Sequence, residues 1–268
     1  MEYAAHRTRS GAWRRTALVA VLLTAGCTGP QPTPVVPPSP PGSVPPSPGS
    51  VTPSPRVPGP PYDPEALFPV LTAIAGEHGT VPPPEVMTDE QELDGHGHNP
   101  CGLLTAEERP GEPFAPPTPV FTGLIEVNPT GAFQGVDGPT TVVEIEVTGF
   151  ASDGIVEEVM ERAGRARCAT DFTVTYTPMP ARRAVGTVRL GEVQARLSTG
   201  TVRRVPADQN ISLVPGEARL VFAHGPLLIS VDVLTFRPDS TGPKVTGLAR
   251  KTAVDLATEL LRAVGGGD

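Results

Sequence analysis

The chain has no apolar run longer than residues 16 to 23, no surplus of basic charge, and none of the short signatures that mark a catalytic nucleophile. Each absence excludes a class. A membrane-spanning helix needs about 20 mostly apolar residues, so a permanent helical anchor is not expected. With 21 Lys and Arg against 29 Asp and Glu, the formal net charge is −8. Nucleic-acid phosphates repel such a chain, so nucleic acid is not an expected partner. Serine is sparse over residues 63 to 268: Ser152, Ser198, Ser212, Ser230 and Ser240. None lies in a G-x-S-x-G elbow or an S-x-x-K context, so a Ser-His-acid set would have to assemble in three dimensions. Cysteine is scarce and odd in number, with only Cys27, Cys101 and Cys168.

The N-terminus is richer in signal. Arg7, Arg9, Arg14 and Arg15 precede the apolar run, which gives way to the small residues "TAGC" ending at Cys27. That is the three-part layout of an export signal. "LLTAGC" resembles the lipobox of bacterial lipoproteins, although Thr24 stands where that family usually has Leu. The resemblance implies that Cys27 receives diacylglycerol and becomes the new N-terminus. The competing reading is ordinary cleavage that leaves Cys27 a stray thiol. Arg14 and Arg15 could mark twin-arginine export, but the apolar residues that usually follow the pair closely are missing, which favours general secretion. With Cys27 acylated, Cys101 and Cys168 remain as one pair, and an oxidising compartment favours their bridging. Closing so long a loop stabilises by roughly 4 kcal/mol in the chain-entropy account. Loss of residues 1–26 would leave 17 basic and 28 acidic side chains, a net charge of −11.

Residues 27–62 are dominated by Pro, Ser, Gly and Val and repeat imperfectly as "PPSPPGSV", "PPSPGSV" and "TPSPRV". So many prolines remove backbone donors and fix φ, favouring polyproline II over helix or sheet. Few bulky apolar side chains are present to offset the entropy of folding. At about 3.1 Å per residue the tract would reach roughly 100 Å, a disordered stalk that lifts a domain from the membrane. Its alternative role is as a Pro-rich ligand for a partner domain.

Residues 63–268 are long enough for one domain with a sizeable core. Asp63 caps a helix with Pro64 in its first turn, and Gly79 could close it. Residues 80 to 100 read as loop. Thr105 and Glu108 form a capping box that Pro110 limits to about a turn. Strands follow at 120 to 127 and 142 to 149, the second placing Val143, Ile145 and Val147 opposite Glu144 and Glu146. Residues 153 to 168 switch to helical spacing, with Ile155, Val156, Val159, Met160 and Ala163 as the apolar stripe. Extended segments return at 171 to 177, 185 to 198 and 217 to 235, the last a hairpin around "HGP". A long helix closes the chain, with Val245, Leu248, Thr252, Leu256 and Leu260 on one stripe and Gly265 as its stop. Half-polar strands suit an antiparallel sheet with helices packed on one face, an α+β fold.

The order of "NPCGLLTAEE", "VEEVMERAGRARC" and "ARKTAVDLATELLRAV" around β-ribbons resembles actinobacterial secreted lipoproteins related to the extracellular sensor domain of mycobacterial serine/threonine kinases. The resemblance spans roughly residues 98 to 264 and rests on element order and cysteine placement. It implies an α+β sandwich that binds an extracellular ligand in a cleft. Sensor kinases of this kind carry a second disulfide, which this chain lacks. With no kinase domain here, sensing would need a separate partner.

Charge is unevenly spread. Residues 82 to 160 hold 15 acidic side chains and one basic residue, Arg109, whereas residues 161 to 204 hold nine Arg against Glu161, Asp171 and Glu192. Within that region Arg182, Arg183, Arg203 and Arg204 are the candidates for holding an anionic ligand, such as a cell-wall polymer or a lipid headgroup, because guanidinium grips carboxylate and phosphate bidentately. The plainer reading pairs them with the acidic segments or with water. Glu107 with Glu108, Glu144 with Glu146, and Glu157 with Glu158 read as solvated surface charge, ahead of the paired acids of a glycosidase. In "DGHGHNPC", residues 94–101, His96 and His98 would point the same way in an extended backbone, and imidazole suits zinc, copper or nickel. Gly95 and Gly97 leave the segment loose, so it reads as the approach to Cys101 with no dedicated metal site.

The whole therefore reads as a lipid-anchored binding or sensor-like protein on the extracytoplasmic face of the cell membrane. It is expected to have no catalytic activity and no cofactor, and its partners to be the membrane through the anchor and a cell-wall polymer or envelope protein. The alternative is an envelope hydrolase, or a weak metal binder using His96 and His98.

Overall fold

The computed structural model describes residues 62–88, 118–128, 140–165, 168–174, 179–204, 213–238 and 241–265. The signal segment, Cys27, the Pro-rich tract up to residue 61, the stretch carrying His96, His98 and Cys101, and the short helix expected after Thr105 lie outside the described residues. By its contacts the chain divides into Met1–Ser54 and Pro55–Asp268, and every described residue belongs to the second unit.

Asp63 caps the first helix as expected: its carboxylate accepts a hydrogen bond from the Glu65 N–H at 3.0 Å, and Pro64 supplies a preset φ. This helix is α1 (Pro64–Gly76), which ends before Gly79. The remaining elements are β1 (Glu85–Met87), β2 (Phe121–Val127), β3 (Thr140–Gly149), α2 (Asp153–Arg165), β4 (Asp171–Val174), β5 (Met179–Leu190), β6 (Val193–Val202), β7 (Leu213–His224), β8 (Leu227–Pro238) and α3 (Gly242–Val264). The strands form one eight-stranded sheet in the order β1-β2-β3-β8-β7-β6-β5-β4, with every pairing antiparallel. The α+β class is therefore observed.

Two strand expectations needed correcting. Residues 80 to 100 were expected to be loop, yet Glu85–Met87 pairs with β2 and Thr80 bridges to Asn128. A three-residue strand is too short to show a period, and Pro82 to Pro84 mask it. The single extended segment expected at 185 to 198 is a hairpin, β5 and β6 joined by Gly191 and Glu192. The polar alternation resumes after only two residues, so the one local mark of the turn is Gly191, whose φ of 60° suits glycine. The β7–β8 hairpin around "HGP" is observed. Gly225 at φ 54° precedes Pro226, whose ring enforces a negative φ, the combination of a type II′ turn.

Alternation then sorts the sheet into two faces. Val143, Ile145 and Val147 of β3, Leu220 and Phe222 of β7, and Ile229, Val231 and Val233 of β8 share one face with Leu67, Phe68 and Leu71 of α1 and Leu256 and Leu260 of α3. The buried stripe of α3 runs through Val245, Ala249, Ala253, Leu256 and Leu260, a slight rotation of the expected one. Ala249, Ala253 and Ala257 keep that stripe thin, which lets the helix lie close to β7. The His78 ring also bonds the Glu259 carboxylate at 2.8 Å, tying the end of α1 to α3.

The helices, expected over one face, divide between two. α2 buries Val156 and Val159 against Phe150, Val221 and Leu228, and Val221 and Leu228 alternate away from Leu220 and Ile229. The stripe read from its sequence is the buried one, but periodicity cannot say which side of a sheet a helix covers. An apolar patch at the hairpin end of the second face decides it.

Candidate functional site

The second face is where the chain concentrates chemistry. Between the α2 patch and a smaller cluster of Phe172, Met179, Ala181 and Val202 with Leu234 lies a band of charged and hydroxyl side chains. Cross-strand register sets it out in rows. Ser198 of β6, Arg219 of β7, Asp232 of β8 and Glu144 of β3 lie side by side. On one flank Ser230 of β8 adjoins Glu146 of β3, and on the other Gly200 of β6 lies between Arg183 of β5 and Glu217 of β7. Arg183, Arg196, Ser198, Glu217, Arg219, Ser230 and Asp232 are all buried.

Arg219 sits at the centre, 4 % exposed. Its Nη1 pairs with Asp232 Oδ2 at 2.9 Å, while Nη2 donates to Ser230 Oγ at 3.3 Å and lies 3.8 Å from Glu146 Oε2. One guanidinium fork thus joins β7, β8 and β3, a use of Arg that a Lys could not match. Burial holds the Asp232 carboxyl well above its ordinary range; Arg219 opposes that, and Glu217, Glu144 and Glu146 reinforce it. Burial also lowers the Arg196 guanidinium, with Arg219 acting in the same direction. Each shift follows from removing charge from water and setting like charges close together.

Glycine makes the packing of the Arg183 flank possible. A Cβ on Gly200 would stand 2.9 Å from Glu217 Oε2 and 3.2 Å from the Phe172 ring. Arg183 stacks on that ring with its Cζ 4.6 Å from the centroid and donates from Nη1 to the Ala169 carbonyl at 2.7 Å. Arg196 Nη2 lies 4.0 Å from the Cys168 sulfur. Cys168 and Ala169 therefore lie over the β5–β6 end of this face.

The four arginines proposed for an anionic ligand do not form one patch. Arg183 is 3 % exposed and engaged with Phe172 and Ala169. Neighbouring residues in a strand point to opposite faces, so Arg182 is directed away from it. Arg182 is exposed and faces Asp171 across the β4–β5 pair, Arg203 bonds the Asp171 carboxylate, and Arg204 is exposed. The exposed subset is thus Arg182, Arg203 and Arg204, the first two beside the Asp171 carboxylate.

The carboxylate pairs split in the same way. Glu158 bonds Arg162 and Glu161 bonds Arg165 along exposed α2, the surface-charge role expected of the Glu157 and Glu158 pair. Glu144 and Glu146 are instead half-buried beside Asp232 and Ser230, which corrects their reading as a solvated face. Sequence inspection missed Glu217, Arg219 and Asp232 altogether. Their one signal was charge at the even beats of strands whose odd beats are strongly apolar, a pattern that a solvated face shares. Among the described residues no group of three or more His, Cys, Asp or Glu is placed to hold a metal ion. His96, His98, Cys101, Glu107 and Glu108 lie outside those residues.

No family profile matches the chain, and no curated protein does. One solved structure does. The extracellular domain of PknH from Mycobacterium tuberculosis aligns over 72% of this chain and 90% of its own, with 11% sequence identity and a TM-score of 0.38.

Proposed function

We propose that the protein is a lipid-anchored, extracytoplasmic binding or sensor-like lipoprotein with no catalytic activity. The observation that carries this reading is the sequence of basic residues, short apolar run and "TAGC" at Cys27, followed at once by a Pro-rich tract leading to the β-sheet unit. Acylated Cys27 is the anchor, residues 27–62 are the stalk, and the sheet is the binding module. With Cys27 acylated, Cys101 and Cys168 are the one remaining cysteine pair, and the oxidising compartment outside the membrane favours their bridging. No helix among the described residues is long and apolar enough to cross a membrane. The exposed Arg182, Arg203 and Arg204 supply the surface for an anionic envelope ligand.

Two measurements test this. Cells fed a labelled fatty acid should label the full chain and retain it with membranes, whereas Cys27→Ser should take no label and leave the membrane fraction. Unchanged labelling of the Cys27→Ser variant would remove the anchor from the proposal. For the ligand surface, the Arg182→Gln, Arg203→Gln, Arg204→Gln triple variant should lose most pull-down by isolated cell wall at low salt, and equal pull-down would sink that part of the reading.

A further inference from the structure

The two edges of the sheet differ. β1 closes one of them with three residues, is preceded by Pro82, Pro83 and Pro84, and begins with Glu85. Short length, proline and charge are the usual means of blunting an edge. At the other side β4 pairs with β5 only over Met179 to Arg182, and the Arg183 N–H still donates to the Thr170 carbonyl at 2.6 Å. Beyond that point, among the described residues, no strand flanks β5.

The backbone directions of the remaining length follow from register. Leu190 and Val193 flank a two-residue turn, so that pair exchanges both its hydrogen bonds, and residues 184, 186, 188 and 190 spend theirs on β6. The outward bond of Arg183 to Thr170 agrees with this alternation. Val185, Thr187 and Arg189 therefore direct their N–H and C=O groups off the edge. All three are exposed, Val185 at 48%. The stretch holds no proline and no acid, and its one charge is Arg189. Among the described residues it is an open pairing template of the kind that natural sheets usually protect.

We infer that residues 185–189 of β5 dock a second copy of this chain, the two strands pairing antiparallel about a two-fold axis at Thr187. Only registers that set outward residues against outward residues make bonds, and the one centred on Thr187 is self-complementary in three respects. Thr187 meets Thr187, a favourable cross-strand pair. Val185 lies opposite the second copy's Arg189, so the two arginines never face each other. Gly186 lies opposite Val188, and nothing stands within 4 Å of where a Gly186 Cβ would be, which leaves space for the valine. About six backbone hydrogen bonds result. One strand contact falls below the roughly 1,200 Å² of a stable interface, so the dimer is weak and suits chains held at high local concentration.

A covalent trap reads this directly. Hydrogen-bonded antiparallel partners have Cα atoms about 5.5 Å apart, within disulfide reach. The full chain with Thr187→Cys, expressed in cells and run without reductant, should give a species of twice the chain mass that reductant abolishes. The wild-type chain and Glu157→Cys, whose new thiol lies on exposed α2, should give no such crosslinked species. Adding Val185→Lys, which sets like charges opposite each other, should cut the crosslinked fraction several-fold, and adding Val185→Pro, which removes an outward donor, should do the same. A Thr187→Cys chain that stays monomeric, or that crosslinks no better than Glu157→Cys, overturns the proposal. So does crosslinking that neither Val185 substitution reduces.

Discussion

The two faces of the sheet are built from the same alternating strands and end in opposite chemistry. One carries Leu220, Phe222, Ile229 and Val231 beneath α1 and α3. The other carries Arg219, Glu217 and Asp232, equally withdrawn from water. The apolar face is stabilised by transfer from water and by close packing. The charged face gains only what its pairings return above the cost of stripping water from ions, and such pairs often break even against apolar residues of the same volume. Burial alone therefore does not measure a face's contribution: the partners that replace water do.

Four substitutions sharpen that comparison. On the apolar face, Phe222→Ala should cost about 3–5 kcal/mol, since it leaves a cavity in a packed core; urea unfolding checks it. On the charged face, Asp232→Ala removes the carboxylate that pairs with the buried Arg219 at 2.9 Å, and should cost about 3–4 kcal/mol. The double change Arg219→Met with Asp232→Leu should recover most of that loss, and a double variant as unstable as the single one would contradict the break-even account.

The Asp232 carboxyl also predicts a pH signature. Its protonation is favoured in the folded protein beyond the ordinary value of 3.8, so above that value the folded state binds a proton that the unfolded chain has released. Its contribution is therefore greatest at low pH and declines as pH rises from about 4 toward the folded value. Asp232→Asn should flatten this decline in urea midpoints taken from pH 4 to 7. Parallel curves for variant and wild type would place the slope elsewhere. The smallest effect belongs to the exposed Arg203–Asp171 pair. Arg203→Ala should change stability by less than about 1 kcal/mol, and less again at high salt, because water and ions already screen it.

Legibility in the sequence followed the range of the interaction. The cap at Asp63, the stripe of α2, the alternation of β3 and the "HGP" turn are set by residues within four positions of one another, and all are observed, while the stripe of α3 is observed slightly rotated. β1 and the Gly191 turn were hidden because one is shorter than any period and the other interrupts the alternation for two residues. The candidate site was the least legible. Glu144 and Glu146 alternate with valine and isoleucine as solvated residues do, and only β8 with β7 beside it reveals Asp232 and Arg219 as their neighbours. Arg182 and Arg183 adjoin in sequence and diverge in space, because successive strand residues face opposite ways.

The sequence by itself determined the local elements, the antiparallel α+β class and the two-sidedness of the strands. Each of these follows from the backbone period and the chemistry of near neighbours. Only the tertiary structure decided that the polar side is buried as well, that α2 covers one end of it, and that no strand among the described residues flanks β5 beyond Arg183. Those outcomes depend on which strands meet and in what register, and residues far apart in the chain settle both.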